Sequence, residues 1–133
     1  MNYLRMIYAS HPFGFDAAML NGILVDSRRC NERDDITGAL ISRSDLFLQL
    51  LEGPKDKVLA AYDRIRRDDR HVEVRELVRK EDFTRMFPGW AMYDDPAKSW
   101  LWSPDAVAAG AVEKATEAEV EAVFTRVWSD SVA

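Results

Sequence analysis

Two apolar runs, "ITGALIS" at 36–42 and "LFLQLLE" at 46–52, are separated by only Arg43, Ser44 and Asp45. Three residues are too few for a parallel crossover, so the runs must form an antiparallel hairpin, and the rest of the fold has to be built beside it. Alternation along the second run turns Leu46, Leu48 and Leu50 to one face and Phe47, Gln49 and Leu51 to the other. Gln49 breaks an otherwise apolar pattern. An amide set between Phe47 and Leu51 is expected to be buried, and a buried amide costs free energy unless something hydrogen-bonds to it. It belongs either to a structural network or to the polar end of a ligand pocket, and periodicity leaves both open.

The flanking segments extend this hairpin into a sheet. "YLRMIYA" at 3–9 reads as a first strand, followed by the loop "SHPFGFD". Asp16 can cap a helix running to about Arg28, with Leu20, Ile23, Leu24 and Ser27 on one face, and the polar run "RRCNERDD" leads into the hairpin. Gly53 and Pro54 stop the third strand and open a helix over 55–67, whose apolar stripe is Val58, Leu59, Tyr62 and Ile65. "VEVREL" at 72–77 alternates into a fourth strand, and a short fifth is expected from Trp90 to Tyr93. The order βαββαββ predicts an α+β, ferredoxin-like sheet with both helices on one face.

The other sheet face then needs a cover, and the tail offers one. A short helix is expected near Pro104, and Thr116 with Glu119 forms a capping box for a final helix through about Trp128. Val120, Val123, Phe124 and Val127 give that helix an apolar face, to be packed on its own sheet or on a partner. The chain therefore divides into a core at 1–95 and a helical extension at 96–133.

Several function classes are disfavoured. A chain of 133 residues, 47% hydrophobic and 31% charged, is one folded domain rather than a disordered segment. Its net charge of -5 argues against nonspecific nucleic-acid binding. Cys30 is the lone cysteine, and histidine occurs only at 11 and 71, so a transition-metal site is not expected. Asp34 and Asp35 read as a turn rather than a catalytic carboxylate pair, and there is no glycine-rich phosphate loop or nucleophile elbow. With no secretory signal and no run of 18 apolar residues, the expectation is a cytoplasmic protein that does not span a membrane.

Uncharged hydrogen-bonding groups are more informative. Tyr8 places a phenol on the first strand, Gln49 an amide on the third, and Asn31 an amide before the second. A phenol donates and accepts, and an amide exchanges its oxygen and nitrogen when it rotates. That set suits a planar heteroaromatic ligand. Singly, each residue has a plainer reading: core packing for Tyr8, scaffold for Gln49, a turn or cap for Asn31.

In combination, "LRMIYAS" at 4–10, "SRRCNERDDITGAL" at 27–40, "FLQLLEGP" at 47–54, "IRRDDRH" at 65–71 and "FPGWAM" at 87–92 resemble the BLUF family of flavin-binding blue-light sensors. The resemblance implies a noncovalent flavin between the two helices, FAD by family habit, with FMN or riboflavin as alternatives. It implies that Tyr8 gives an electron to the excited flavin and that Gln49 lies between Tyr8 and the flavin's N5/O4 edge. Asn31 would hold the polar edge of the ring, Asp68 and His71 would belong to the polar cluster near it, and Ile23, Leu24 and Ile65 would supply apolar walls. Arg28, Arg29 and Arg33 would meet phosphates or simply be solvated. Trp90 and Met92 would carry the signal. The expected cycle is electron and proton transfer, rearrangement of the Gln49 hydrogen bonds, a red-shifted flavin and a conformational output to an unidentified downstream protein. A homodimer or higher homo-oligomer is also expected. Cys30 departs from the Asn or His that many members carry there, which leaves a nonphotoactive flavin-binding interaction module as the alternative. An acylphosphatase-like enzyme of the same general fold lacks its arginine-bearing phosphate loop.

Overall fold

A computed structural model describes residues 3–96 and 100–132. The hairpin is formed by β2 (Thr37–Arg43) and β3 (Leu46–Gly53), paired antiparallel from Arg43↔Leu46 to Thr37↔Glu52. On the other side of β3 lies β1 (Tyr3–Pro12), also antiparallel, and its register sets Tyr8 directly opposite Gln49. Residues directly opposite in a pair share a face, so phenol and amide project together. With β4 (His71–Asp82) and β5 (Tyr93–Pro96) at the edges, the sheet order is β4-β1-β3-β2-β5, β5 running parallel to β2.

Both faces of the central strands are buried, as the hairpin sequence requires. Leu4, Met6, Tyr8, Leu40, Phe47 and Leu51 pack against α1 (Ala17–Asp34) and α2 (Lys55–Arg66), through Ile23, Leu24, Val58 and Ala61. Ile7, Ala39, Leu48 and Leu50 turn the other way. They meet α3 (Pro104–Ala108), α4 (Ala111–Lys114) and α5 (Glu117–Val132) through Val107, Val112, Val120, Phe124 and Val127. The tail thus covers its own sheet, and the half-open face that favoured self-association is filled by the same chain. The cap of α5 is reciprocal: Thr116 Oγ1 accepts from Glu119 N at 3.1 Å and Glu119 Oε1 from Thr116 N at 3.0 Å.

Three expected boundaries need correction. The first helix does not stop near Arg28; it runs on to Asp34, so most of "RRCNERDD" is helical. Charged residues face solvent there while Asn31 and Asp34 are buried, and this polar inner face hides the helical period. The fourth strand is twelve residues long because its charged residues sit on an exposed edge strand. The fifth strand begins at Tyr93, so Trp90 and Met92 lie in the segment before it. "YDDP" has little intrinsic strand preference and is held extended by β2.

Among the described residues no helix is long and apolar enough to cross a membrane. No group of three or more metal-ligating side chains is found among them.

Candidate functional site

Two helical stripes face each other across a cavity of about 240 Å³. From α1 come Ile23, Asp26, Ser27 and Cys30, one helical face at spacings of three and four, joined by Arg29 and Asn31. From α2 and the turn after it come Ala61, Arg64, Ile65 and Asp68, with the same spacing, and then Arg70 and His71. The floor is Gln49 of β3. Apolar walls at Ile23, Ala61 and Ile65 and a polar end at Asn31, Gln49, Asp68 and His71 are the elements of a site for a flat ring with a hydrogen-bonding edge.

Each polar group is held from behind. Asn31 is 3% exposed on the last turns of α1; its backbone oxygen accepts from Ile36 N at 2.9 Å and its Nδ2 donates to Ala91 O at 2.7 Å. Gln49 is 1% exposed, and its Nε2 donates to Met92 Sδ at 3.2 Å. His71 is held through Nδ1 to Ser10 Oγ at 2.8 Å. Burial lowers its pKa to about 4, against the pull of Asp68, so the ring is neutral near pH 7. Asp68 receives Arg70 through Nε, Nη2 and the backbone N–H, and the Arg70 hydrogen bonds hold its carboxyl below the usual range. Arg70 also donates to Asp26 Oδ2 at 3.1 Å, tying α1 to the turn after α2 beside the cavity.

Tyr8 lies beyond the cavity wall, fully buried against Tyr62 at 5.6 Å and His71 at 6.0 Å between ring centroids. Burial raises the phenol's pKa well above 10, with Tyr62 and Asp68 adding to it. Its hydroxyl is buried with no hydrogen-bond partner. A buried hydroxyl without a partner is unusual and marks a position where a polar group belongs. This orphan, the register with Gln49 and the apolar-walled cavity together fit the expected flavin.

Of the other expected residues, Ile23, Ile65, Asp68 and His71 line the cavity, while Leu24 packs in the core beneath α1. Arg28 turns away, donating to Met92 O from Nε at 3.3 Å and Nη2 at 3.2 Å. Arg33 pairs with Asp34, leaving Arg29 at the cavity. Met92 is 2% exposed beside Gln49, whereas Trp90 is 43% exposed with its ring on Tyr93 at 4.7 Å. Arg64, Arg70, Asp26 and Ala61 are not among the residues singled out from sequence. Stepping back four positions from Ile65 and from Asp68 along the same helical face would have found Ala61 and Arg64.

Comparison with known proteins bears on the same residues. A family model described as "BLUF: Sensors of blue-light using FAD" matches residues 3–93. The photoactivated adenylate cyclase subunit beta of Euglena gracilis is 39% identical over 74 residues, 55% of this chain and 9% of that protein. The blue light- and temperature-regulated antirepressor BluF of Escherichia coli K12 is 40% identical over 52 residues, covering 39% of this chain and 13% of its own. The chain thus spans less than a tenth of the length of the cyclase subunits it matches. Among solved structures, a bacterial light-regulated adenylyl cyclase superposes with a TM-score of 0.67 at 31% identity, over 84% of this chain and 34% of that one. BlrB, a BLUF protein in its dark state, shares the fold at a TM-score of 0.80 and 24% identity, with 97% of each chain covered.

Proposed function

This chain belongs to the BLUF family of blue-light sensors that use flavin, and from that premise we propose that Tyr8 and Gln49 are its photoactive pair and Met92 the first recipient of the signal. The matched region is a sensor rather than a catalytic domain. The observation that carries the proposal is the partnerless Tyr8 hydroxyl in the register position opposite Gln49, whose amide already holds Met92 Sδ.

When bound, the flavin supplies blue-light absorption and an excited state able to accept an electron. Asn31 Nδ2 is committed to Ala91 O in the segment before β5, so Asn31 would meet the polar end of a bound ring through Oδ1. Ile23, Ala61 and Ile65 would exclude water from the faces of a bound ring. Burial disfavours the Tyr8 phenolate, so as an electron donor Tyr8 would release its Oη proton as it is oxidised, and Gln49, opposite it in the strand register, is the neighbour we assign to that transfer. Rotation of the Gln49 amide exchanges Oε1 for Nε2 opposite Met92 Sδ. A thioether accepts but does not donate, so the contact is lost. One weak hydrogen bond is worth about 1 kcal/mol, enough to bias two packings of a surface segment and too little to rebuild the fold.

FAD is the flavin we assign, with Arg29 and Arg64 at the cavity to meet a phosphate in exchange for their present ion pairs, each 3.6 Å long, with Asp26 and Asp34. We place the division between sensor core and extension at about residue 95, and assign the output to a cytoplasmic partner or a second copy reached through the tail. Cyclase activity belongs to the longer relatives and is not carried across.

Variants test the pair. With flavin bound, Tyr8→Phe and Gln49→Leu should each keep the yellow colour and lose the light-induced red shift. A normal photocycle in either variant removes that residue from the mechanism.

A further inference from the structure

Gln49 and Glu52 stand three residues apart on β3 and so project from opposite faces of the sheet, Gln49 into the cavity and Glu52 toward the tail. Glu52 is fully buried. Its Oε1 accepts from Phe87 N at 2.6 Å, in the segment that continues to Trp90 and Met92. Its Oε2 lies 3.5 Å from Arg5 Nε, and neither of those two atoms has a hydrogen-bond partner. The pair is therefore joined by charge at a distance that can shorten or lengthen.

Arg5 is 6% exposed on β1 and spreads the connection further. Its Nη1 is 3.1 Å from Glu121 Oε2 on α5, and its Nη2 is 3.1 Å from Asp82 Oδ2 and donates to Thr84 O at 3.4 Å. Lys80 Nζ holds the other oxygen of Glu121 at 2.9 Å. Phe87 meets α5 a second way, through its ring against Phe124 at 6.4 Å and Trp128 at 5.7 Å between centroids. The same ring touches Tyr93, which carries Trp90.

We infer that the Arg5–Glu52 pair is an output junction, which converts the position of the Phe87–Met92 segment into the docking of α5. The inference rests on the reading that this segment responds to light. One end of the segment is fastened to Gln49 and Asn31, the other to Glu52. A shift that starts at Met92 and reaches Phe87 N must either draw the Glu52 carboxylate with it or leave it one donor short. Both change the field on Arg5, whose guanidinium is shared with Glu121. In a low-dielectric interior such changes are felt more strongly than at the surface. Arg5 and Glu52 are positioning residues here, since neither borders the cavity.

The test uses the intact, flavin-bound chain in three forms: unaltered, Glu52→Gln and Glu121→Gln. Absorption and amide hydrogen exchange along α5 are read in darkness and under blue light. Gln at 52 keeps an oxygen for Phe87 N and removes the charge facing Arg5; Gln at 121 cuts the far end at a side chain 17% exposed. Both variants should retain the red shift and the dark protection of α5, while the light-minus-dark difference in α5 exchange falls about fivefold or more. A variant that shifts to the red and passes on the full α5 response overturns the inference, and so does an unaltered chain that shifts while α5 never responds. Absence of any red shift in the unaltered chain fails the photoreceptor reading instead and takes this inference with it. If Glu52→Gln does not fold, Glu121→Gln decides alone.

Discussion

Gln49 shows how far one residue can be read without coordinates. Period two put it on the face opposite Leu48 and Leu50, and burial cost demanded a partner; the structure supplies Met92 Sδ on one side and the cavity on the other. Asn31 was harder, because a polar residue in a polar run looks like a turn until the helix is seen to continue beneath it. His71 gives a residue-scale prediction. Its pKa falls from an ordinary 6.5 to about 4 on folding, so between these values the unfolded chain binds more protons and stability rises with pH. The stabilisation is complete above about 6.5 and is lost as pH falls toward 4, an effect on the order of 3 kcal/mol. Glu52, whose carboxyl burial pushes upward, has the opposite slope at the acid end of the range, but it is common to both chains in a comparison. Denaturation of the unaltered chain and His71→Gln, in the same flavin state, should show a shallower pH dependence in the variant. Equal slopes would contradict the burial argument.

Among the elements, the hairpin and α2 are legible in the sequence because their periods are clean, whereas the end of α1 and the start of β5 are not, for physical reasons. The last turns of α1 bury Asn31 and Asp34 rather than apolar side chains, with Asp34 held ionised chiefly by its hydrogen bonds from Arg33. β5 has no strand pattern of its own and depends on β2 for its extended form. What connects them is the segment between β4 and β5, fastened by Asn31 to Ala91 O, by Arg28 to Met92 O and by Gly38 N to Trp90 O at 3.0 Å. Gly38 can only be glycine: a Cβ there would stand 1.9 Å from Leu50 O. Gly38→Ala should therefore cost about 3 kcal/mol or more, read as a lowered urea midpoint, because backbone must move to admit the methyl group. An unchanged midpoint would show that β2 and β3 are less closely joined than their register implies.

Across the whole molecule the sheet separates two compartments. The cavity and Tyr8 lie on the side of α1 and α2, and the tail helices lie on the other, with the central strands contributing alternate residues to each. Order of elements made this two-sided arrangement foreseeable. The occupant of the second face was not, since an amphipathic helix in isolation fits its own sheet and a partner equally well. A signal generated at Gln49 must cross or go around that sheet to reach α5, and the Phe87–Met92 segment touches both. All of this depends on the cavity holding a flavin whose hydrogen bonds change with light. The most direct measurement is the absorption spectrum of the flavin-bound protein before and during blue illumination. The account expects a small shift to longer wavelength that recovers in darkness without bleaching. A bound flavin whose spectrum does not move under blue light would contradict it, and would leave a flavin-binding module with no photocycle.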